Sequence, residues 1–353
     1  MAYTEIDDPG EYFNTVLYTG TGSSNAISGV GFSPNWVWIK ERDSTSSHSV
    51  SDTIRGVTKR LNPDLTAAEE TLSGLMTSFD SDGFTNAADN GVNENTKTYV
   101  AWNWKAETSF TNDASGTSIG TIDSAGSVNQ DAGFSIVSYT NTNQSANSGV
   151  ATIKHGLNTT PNVMILKDRD ATSDWSVYHS SLPTNKYLSL NKTDAGAVDA
   201  NMWNNTAPTS TVFTVGDNSY SNPANRKMIG YIFAEKKGFS KFGSYTGNNN
   251  ANGPFVYTGF KPAWLMIKIS SGTTNNWMLY DNKRSAFNLT DDILEANNSG
   301  AEGEGLGINM LSNGFKIKTT AGNGTNYNGG TYIYMAFAEQ PFVTSTGVPA
   351  TAK

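Results

Sequence analysis

The chain has 353 residues, 16% of them charged, with a net charge of −8 and a pI near 4.9. It contains no cysteine, which excludes disulfides, thiolate nucleophiles and sulfur-ligated metal sites. No basic stripe accompanies the aromatic residues, so a role that follows a nucleic-acid phosphate backbone is not expected. The abundance of Asn, Ser, Thr and Gly is typical of short strands joined by many turns.

One phrase occurs three times along the chain. It reads GFSPNWVWIK at 31–40, GLNTTPNVMILK at 156–167 and GFKPAWLMIK at 259–268. Self-similarity in a fixed order predicts tandem copies of one structural unit. We therefore predict three domains, which are a first repeat with an N-terminal attachment segment (1–110), a linker and second repeat (111–237), and a third repeat with a C-terminal tail (238–353).

Strands are predicted at the start and the end of each copy. Trp36–Ile39 and Trp264–Ile267 are short apolar runs bounded by turn residues, which predicts strands buried on both faces. An aromatic-rich strand closes each copy, and in the third copy tyrosines alternate with apolar residues from Thr331 onward, as in a half-buried sheet. The predicted fold class is all-β, with three tandem antiparallel β-sandwiches of jelly-roll type.

Two kinds of segment between the strands are predicted from composition. Residues 107–131 are rich in Ser, Thr and Gly, and we predict a connection that carries one short strand at 118–122. Short helices are predicted at two equivalent places, 66–75 and 291–297. The C-terminal residues from Val343 have little to bury and are predicted to be loose.

Charged residues also recur in the copies. Asp52 and Asp281 each precede an Arg by three residues, whereas the second copy has His179 at that place and no Arg. We interpret each Asp/Arg pair as a local ion pair that pins a loop. A lysine ends the repeated phrase in every copy and is predicted to reach solvent where a buried strand ends; these residues are Lys40, Lys167 and Lys268.

No set of residues predicts catalysis, and no cofactor is expected. The three histidines lack metal-ligand spacing, and none of the known nucleophile or phosphate-binding motifs occurs. Asp80 and Asp82 alternate as carboxylates do in calcium loops, but the ligand pattern does not continue beyond them. A tight turn is the favoured interpretation, and these two residues are the only candidate metal ligands.

A ligand-binding surface is the remaining possibility. In β-sandwiches that bind sugars, exposed aromatic rings stack on pyranose faces beside Asn and Asp side chains. Loops of this chain contain such residues close together. The candidate ligand-binding residues are Trp203, Asn204, Asn249 and Tyr327.

Four stretches carry a resemblance to a known group of proteins. They are residues 31–61, TSFDSDGF at 77–84, GVNENTKTYVAWNWKA at 91–106 and the ending from Tyr332 to Lys353. Together they resemble a domain of structural proteins of marine tailed bacteriophages, including those that infect cyanobacteria. The resemblance implies a virion component of tail-fibre type with a concanavalin-like sandwich and no catalytic motif.

The expected function is that of a non-enzymatic bacteriophage virion protein, a tail-fibre or receptor-binding component that engages host-surface glycan. The alternatives are a capsid decoration or tail/baseplate architectural protein and a glycan-degrading enzyme. The expected partners are other virion proteins and further copies of the chain, with a trimer as the expected homo-oligomer. No signal peptide or membrane span is visible, which fits assembly in the host cytoplasm into the virion.

Overall fold

The computed structural model describes residues 4–142, 149–305, 307–320 and 324–350. Nearly all its regular structure is antiparallel β-sheet, which confirms the predicted all-β sandwich class. Turn-forming residues separate strands of mostly four to seven residues, as the composition indicates.

The first repeat contains a short 3-10 helix, nine strands and one helical turn. Its elements are η1 Pro9–Glu11, β1 Phe13–Thr19, β2 Asn25–Ser28, β3 Trp36–Glu41, β4 Ser49–Asp52, β5 Lys59–Arg60, β6 Glu70–Thr71, β7 Met76–Asp80, β8 Gly83–Asn86, α1 Asn90–Asn93 and β9 Thr98–Trp104.

The connection and the second repeat follow. The connection contains β10 Thr108–Asn112, α2 Ala114–Thr117 and β11 Ser124–Asn129. The second repeat contains β12 Phe134–Thr140, β13 Ala151–Lys154, β14 Val163–Asp168, β15 Ser176–His179, β16 Lys186–Ser189, β17 Ala197–Val198, β18 Val212–Val215 and β19 Lys227–Phe233.

The third repeat begins almost immediately after the second. It contains β20 Ser240–Thr246, β21 Phe255–Tyr257, β22 Phe260–Ser271, β23 Met278–Asp281, β24 Leu294–Glu295, β25 Ile308–Leu311, β26 Gly314–Ile317 and β27 Thr331–Pro341.

Each repeat is a sandwich of one large and one small sheet. The large sheets run in the orders β1-β9-β3-β4, β10-β11-β12-β19-β14-β15-β16-β17 and β20-β27-β22-β23-β24. The small sheets are β2-β8-β7, β13-β18 and β21-β26-β25. A separate apolar cluster fills the space between the two sheets of each repeat, so each repeat has a core of its own.

The other face of every large sheet belongs to a fourth cluster, which the three repeats share. Trp36 and Trp104 of the first repeat, Phe233 of the second, and Trp264 and Phe337 of the third all lie in it. The strands predicted to be buried on both faces are indeed buried on both faces. The division into three domains stays a prediction, to which the structure adds this common core.

Three aromatic rings at equivalent positions meet at the centre of the shared core. Trp104, Phe233 and Phe337 hold the same register against Trp36, Val163 and Trp264, respectively. Their centroids lie 6.5, 5.7 and 5.8 Å apart, and all three pairs pack edge to face. Edge-to-face packing is favourable because it brings ring edges against ring faces of opposite partial charge. Since the three rings occupy equivalent positions and meet at one point, the repeats surround a pseudo-threefold axis.

Equivalent polar contacts close the three repeats into a ring. The ring nitrogen Nε1 of Trp175 donates to Asn62 O of the first repeat at 3.0 Å, and Trp277 Nε1 donates to Ser189 O of the second at 3.0 Å. At the matching position of the first repeat, His48 Nε2 contacts Glu295 O of the third repeat at 3.0 Å. Each repeat therefore contacts the other two through the same kind of interface.

Three local predictions are wrong. Residues 107–131 form the paired strands β10 and β11, which extend the large sheet of the second repeat, and 118–122 is not a strand. The predicted helices at 66–75 and 291–297 contain the short strands β6 and β24 instead. In both segments that we predicted to be helical, pairing with a neighbouring strand overrides the local preference for helix.

Candidate functional site

The candidate ligand-binding residues lie in different environments. Trp203 is fully buried, where its ring packs edge to face on Tyr178 and its Nε1 donates to Lys186 O at 3.2 Å. A buried ring cannot stack on a sugar from solvent, so Trp203 leaves the candidate set. Its neighbour Asn204 is exposed in a turn of the second repeat, with a backbone φ of +51°.

Asn249 and Tyr327 come together in the third repeat. Both are exposed, and Asn249 donates its backbone N–H at 3.0 Å to the carbonyl of Asn326, the residue before Tyr327. The loop after β20 and the loop before β27 are therefore neighbours. Of the four candidates, the structure brings these two together and places Trp203 in the interior.

The side chain of Asn326 explains why these two loops meet. It is fully buried, accepts from Asn248 N at 2.8 Å, and donates to Asn250 O at 2.8 Å and Thr319 O at 2.6 Å. An asparagine stands five residues before the start of the closing strand in every copy. Because this recurrence is visible in the sequence, it is the signal by which the structural role of Asn326 could have been predicted.

Asp80 and Asp82 have protein partners that account for their carboxylates. Asp82 accepts from Gly29 N at 3.1 Å and Gly31 N at 2.6 Å, and these bonds lower its pKa. Asp80 accepts from Thr85 Oγ1 at 2.7 Å. Asp82 thus holds a glycine-rich loop against the β7–β8 turn. Within the described ranges, no three His, Asp or Glu side chains are grouped in a way that could hold a metal ion.

The three histidines are buried and hydrogen-bonded to backbone. His155 Nε2 lies 3.2 Å from Thr209 O, and His179 Nε2 lies 3.2 Å from Tyr334 O. Burial lowers the pKa of His48 to about 3 and that of both others to about 4. They are therefore neutral at pH 7.

The prediction that the shared lysines reach solvent is wrong. Lys40, Lys167 and Lys268 are fully buried, and burial lowers their pKa to about 8, 8 and 7. Lys167 Nζ donates to Thr66 O of the first repeat at 3.1 Å, and Lys268 Nζ donates to Thr193 O of the second at 2.8 Å. Lys167 and Lys268 therefore hold loops of the adjacent repeat, whereas Lys40 Nζ donates to Glu41 O of its own repeat at 2.6 Å.

Exposed aromatic side chains are concentrated in the third repeat. Among the described residues, four aromatic side chains are exposed, and they are Phe255, Tyr257, Phe287 and Tyr327. The described parts of the first and second repeats contain none in that state, although these repeats contain most of the tryptophans of the chain. Surface rings confined to one of three related units suggest a function that only this unit carries.

Phe255 and Tyr257 lie on the outer face of the small sheet of the third repeat. They flank Val256 on β21, and because side chains alternate along a strand, the inward Val256 leaves both rings outward. Phe255 is 46% and Tyr257 58% exposed. Opposite Tyr257 on β26 stands Gly314, which has no side chain to cover the ring. We call the outward side of β21, β26 and β25 the aromatic face.

The equivalent positions of the other repeats carry no aromatic ring. The inward residue of β21 pairs with Phe315, as Ile27 pairs with Phe84 and Ile153 with Phe213, which aligns the three small sheets. By this register, Phe255 and Tyr257 correspond to Ala26 and Ser28 in the first repeat and to Thr152 and Lys154 in the second. The scaffold therefore does not require rings there.

Sequence reasoning missed Phe255 and Tyr257. The signal was present, because the third copy reads Phe-Val-Tyr where the first reads Ala-Ile-Ser. Recognising it requires knowing which strand residue points inward, and strand β21 has only three residues. The structure supplies that register through the pairing with β26.

A second exposed apolar segment borders the aromatic face. Asn288 exchanges hydrogen bonds with the backbone of Met310 on β25, with 2.9 Å from Nδ2 to Met310 O and 2.9 Å from Met310 N to Oδ1. This places Phe287, which is 79% exposed, beside the β25 edge. The apolar surface of the third repeat thus includes both edges of its small sheet.

Comparison with known proteins places the chain in one family. A family model described as a domain of unknown function, DUF7483, matches residues 8–341 as one continuous unit. The chain belongs to the DUF7483 family. The single match includes all three repeats, as the shared core does.

No curated protein and no solved structure matches the chain. In the part of the chain that the structure describes, no helix is long and apolar enough to cross a membrane.

Proposed function

We propose that this DUF7483 protein is a non-enzymatic bacteriophage virion component that binds glycan on the host surface through the aromatic face. The observation that carries the proposal is that, of the aromatic rings the structure describes, all the exposed ones lie in the third repeat. Flat rings on a rigid sheet stack on the apolar faces of pyranoses without ordering a loop. The resemblance to marine phage structural proteins supports the assignment to a virion.

Polar groups beside the rings complete a surface of the kind that binds sugars. Asn309 on β25 stands opposite Lys316 on β26, which in turn stands opposite Phe255. Amide and ammonium groups next to stacked rings donate hydrogen bonds to sugar hydroxyls. The rings supply contact area, and the polar groups supply orientation.

Weak binding at one such face is sufficient for host attachment if several copies act together. A virion that displays several copies would convert weak single-site binding into avidity. We propose a homo-oligomer of this chain on the particle, assembled in the host cytoplasm with other virion proteins.

The test compares purified wild-type protein with Phe255→Ala/Tyr257→Ser, which installs the residues of the first repeat. The proteins are presented multivalently on beads to a glycan array and to susceptible host cells. The variant should lose at least about tenfold in binding, whereas a control, Val198→Ala on the exposed edge strand of the second repeat, should bind normally. Equal binding by the double variant and the wild type would remove the aromatic face from the proposal.

One observation favours a second candidate function. The three repeats close into a ring with pseudo-threefold symmetry, and a closed, rigid unit suits a capsid decoration or tail architectural protein that contacts other virion proteins. Gold labelling of intact virions separates the two candidates. Label at the tail or fibre tips supports host attachment, and label over the capsid supports the architectural role.

A further inference from the structure

Two lysines share the aromatic face with the two rings. Lys316 on β26 pairs directly with Phe255 on β21, so both side chains point outward. Ile317 points inward, and Lys318, whose backbone N–H donates to Gly307 O at 3.1 Å, is the next outward residue. Both lysines are partly exposed. Two cations therefore stand in a row beside the rings.

Lysines occur at these two positions of the middle strand only in the repeat that carries the rings, although the second repeat has Lys154 at the position of Tyr257. Register with the small sheet of the first repeat aligns Lys316 with Thr85 and Lys318 with Ala87. In the second repeat the aligned residues are Thr214 and Gly216. Two lysines in a row beside exposed rings thus distinguish the third small sheet, and this combination indicates one ligand that uses both.

The charge of this face is opposite to that of the chain as a whole. The outward residues of β25, which are Asn309 and Leu311, are uncharged, as is Gly314 on β26. No described carboxylate lies within 4.0 Å of Lys316 or Lys318, although most other lysines and arginines near the surface have one. The net charge of the chain is −8, so this local positive face is complementary to an anion.

We infer that the glycan bound by the aromatic face is anionic, a polymer bearing uronate carboxylates or sulfate esters. This inference rests on the proposed function and names the class of its ligand. The rings of Phe255 and Tyr257 stack on sugar faces, and Lys316 and Lys318 pair with acidic groups of the same or the adjacent sugar. The ammonium groups are partly exposed, so each pair contributes modestly and weakens as salt screens it.

The experiment uses two matched pairs of polymers that differ only in charge. These are dextran sulfate against dextran, and polygalacturonate against its methyl ester, with binding of the full chain measured by biolayer interferometry at low and high salt. Wild-type protein should prefer at least one charged polymer to its neutral counterpart by about tenfold, as two exposed ion pairs allow. Raised salt should reduce that preference.

Variants assign the preference to the lysines. Lys316→Thr/Lys318→Ala, which installs the residues of the first repeat, should abolish the preference and leave residual neutral binding unchanged. Lys227→Ala, which removes an exposed lysine from the second repeat, should leave the preference intact. Equal binding of charged and neutral polymers, or a preference that survives in the lysine double variant, overturns the inference while the proposed glycan function stands.

Two other outcomes also have a defined meaning. If wild-type protein binds none of the polymers and no glycan on the array, the proposed function itself fails. If polyglutamate binds as tightly as the charged polysaccharides, and the ring variant does not weaken that binding, the face recognises acidic protein, which overturns the glycan assignment.

Discussion

Trp102 Nε1 donates a 3.0 Å hydrogen bond to Asp281 Oδ2, which joins two residues 179 positions apart in the chain. The equivalent contact at another interface is between Tyr231 OH and Asp52 Oδ2 at 2.8 Å. Each carboxylate therefore has a partner in a different repeat. The predicted local Asp/Arg pairs exist, but they are buried and belong to the interfaces between repeats.

At the third interface the chemistry changes on both sides. The residue equivalent to Trp102 and Tyr231 is Met335, which has no hydrogen to donate, and the residue equivalent to the aspartates is His179. A buried carboxylate without a donor would be costly. Nε2 of His179 instead lies 3.2 Å from the carbonyl oxygen of Tyr334. A neutral side chain suits this position because Met335 offers no hydrogen-bond donor.

Removal of a buried carboxylate should destabilise the whole ring. Asp281 accepts from Arg284 Nε at 2.5 Å and from Trp102, and both charged side chains are fully buried. Asp281→Ala removes one carboxylate partner from the buried guanidinium of Arg284. The variant should lose about 3 kcal/mol in the free energy of unfolding, measured by urea denaturation.

Lys241→Ala is the matched control for that prediction. It breaks the partly exposed ion pair with Glu235, where the side chains are 36% and 32% exposed, and should cost under about 1 kcal/mol. Similar costs for Asp281→Ala and Lys241→Ala would contradict the importance of burial at the interface.

Trp104 should tolerate phenylalanine but not alanine. Its equivalents in the other repeats are Phe233 and Phe337, and its buried Nε1 has no hydrogen-bond partner among the described residues. Trp104→Phe removes that unpaired donor and keeps a ring at the centre, so it should cost under about 2 kcal/mol. Trp104→Ala should cost about 3–5 kcal/mol through the cavity that it leaves. Thermal unfolding that ranks the two variants equally would refute a requirement for a central ring.

Acidification should weaken the fold between about pH 6.5 and pH 4. Burial lowers the pKa of His48, His155 and His179 from 6.5 to about 3, 4 and 4. The unfolded chain therefore binds more protons than the folded chain in that window, and stability falls as the pH falls. Each histidine contributes a slope of about 1.4 kcal/mol per pH unit at most.

The pH dependence is best measured by urea denaturation from pH 8 to pH 5, above the range in which ordinary carboxylates titrate. His179→Gln should lower stability at pH 8 because it alters the contact with the carbonyl of Tyr334. It should also reduce the slope of the unfolding free energy against pH by the contribution of one histidine. An unchanged slope in that variant would show that His179 is not buried as a neutral ring.

Asn326 should be required for the loops that carry Asn249 and Tyr327. Asn326→Ala leaves the backbone groups of Asn248 and Asn250 without their buried partner and should cost about 1–3 kcal/mol. The control Asn328→Ala, at an exposed position two residues away, should change stability by under about 0.5 kcal/mol. Hydrogen exchange should show faster exchange at 247–252 in Asn326→Ala alone.

Local pattern was sufficient for part of the candidate site. Asn249 and Tyr327 are exposed because they stand in polar loops, which composition indicates. Trp203 stands in an equally polar loop but is buried. A single ring in a loop turns inward or outward according to the packing around it, and that packing involves β16 and β15.

The sequence by itself determined the all-β class and the strands buried on both faces. These properties depend on side-chain alternation and turn chemistry, which act over a few residues. Only the tertiary structure decided that the copies close around Trp104, Phe233 and Phe337, that Lys40 and its equivalents are buried, and that Phe255 and Tyr257 share a face with two lysines. Those relationships join strands far apart in the chain, because strand register and the packing of sheets on one another bring distant residues together.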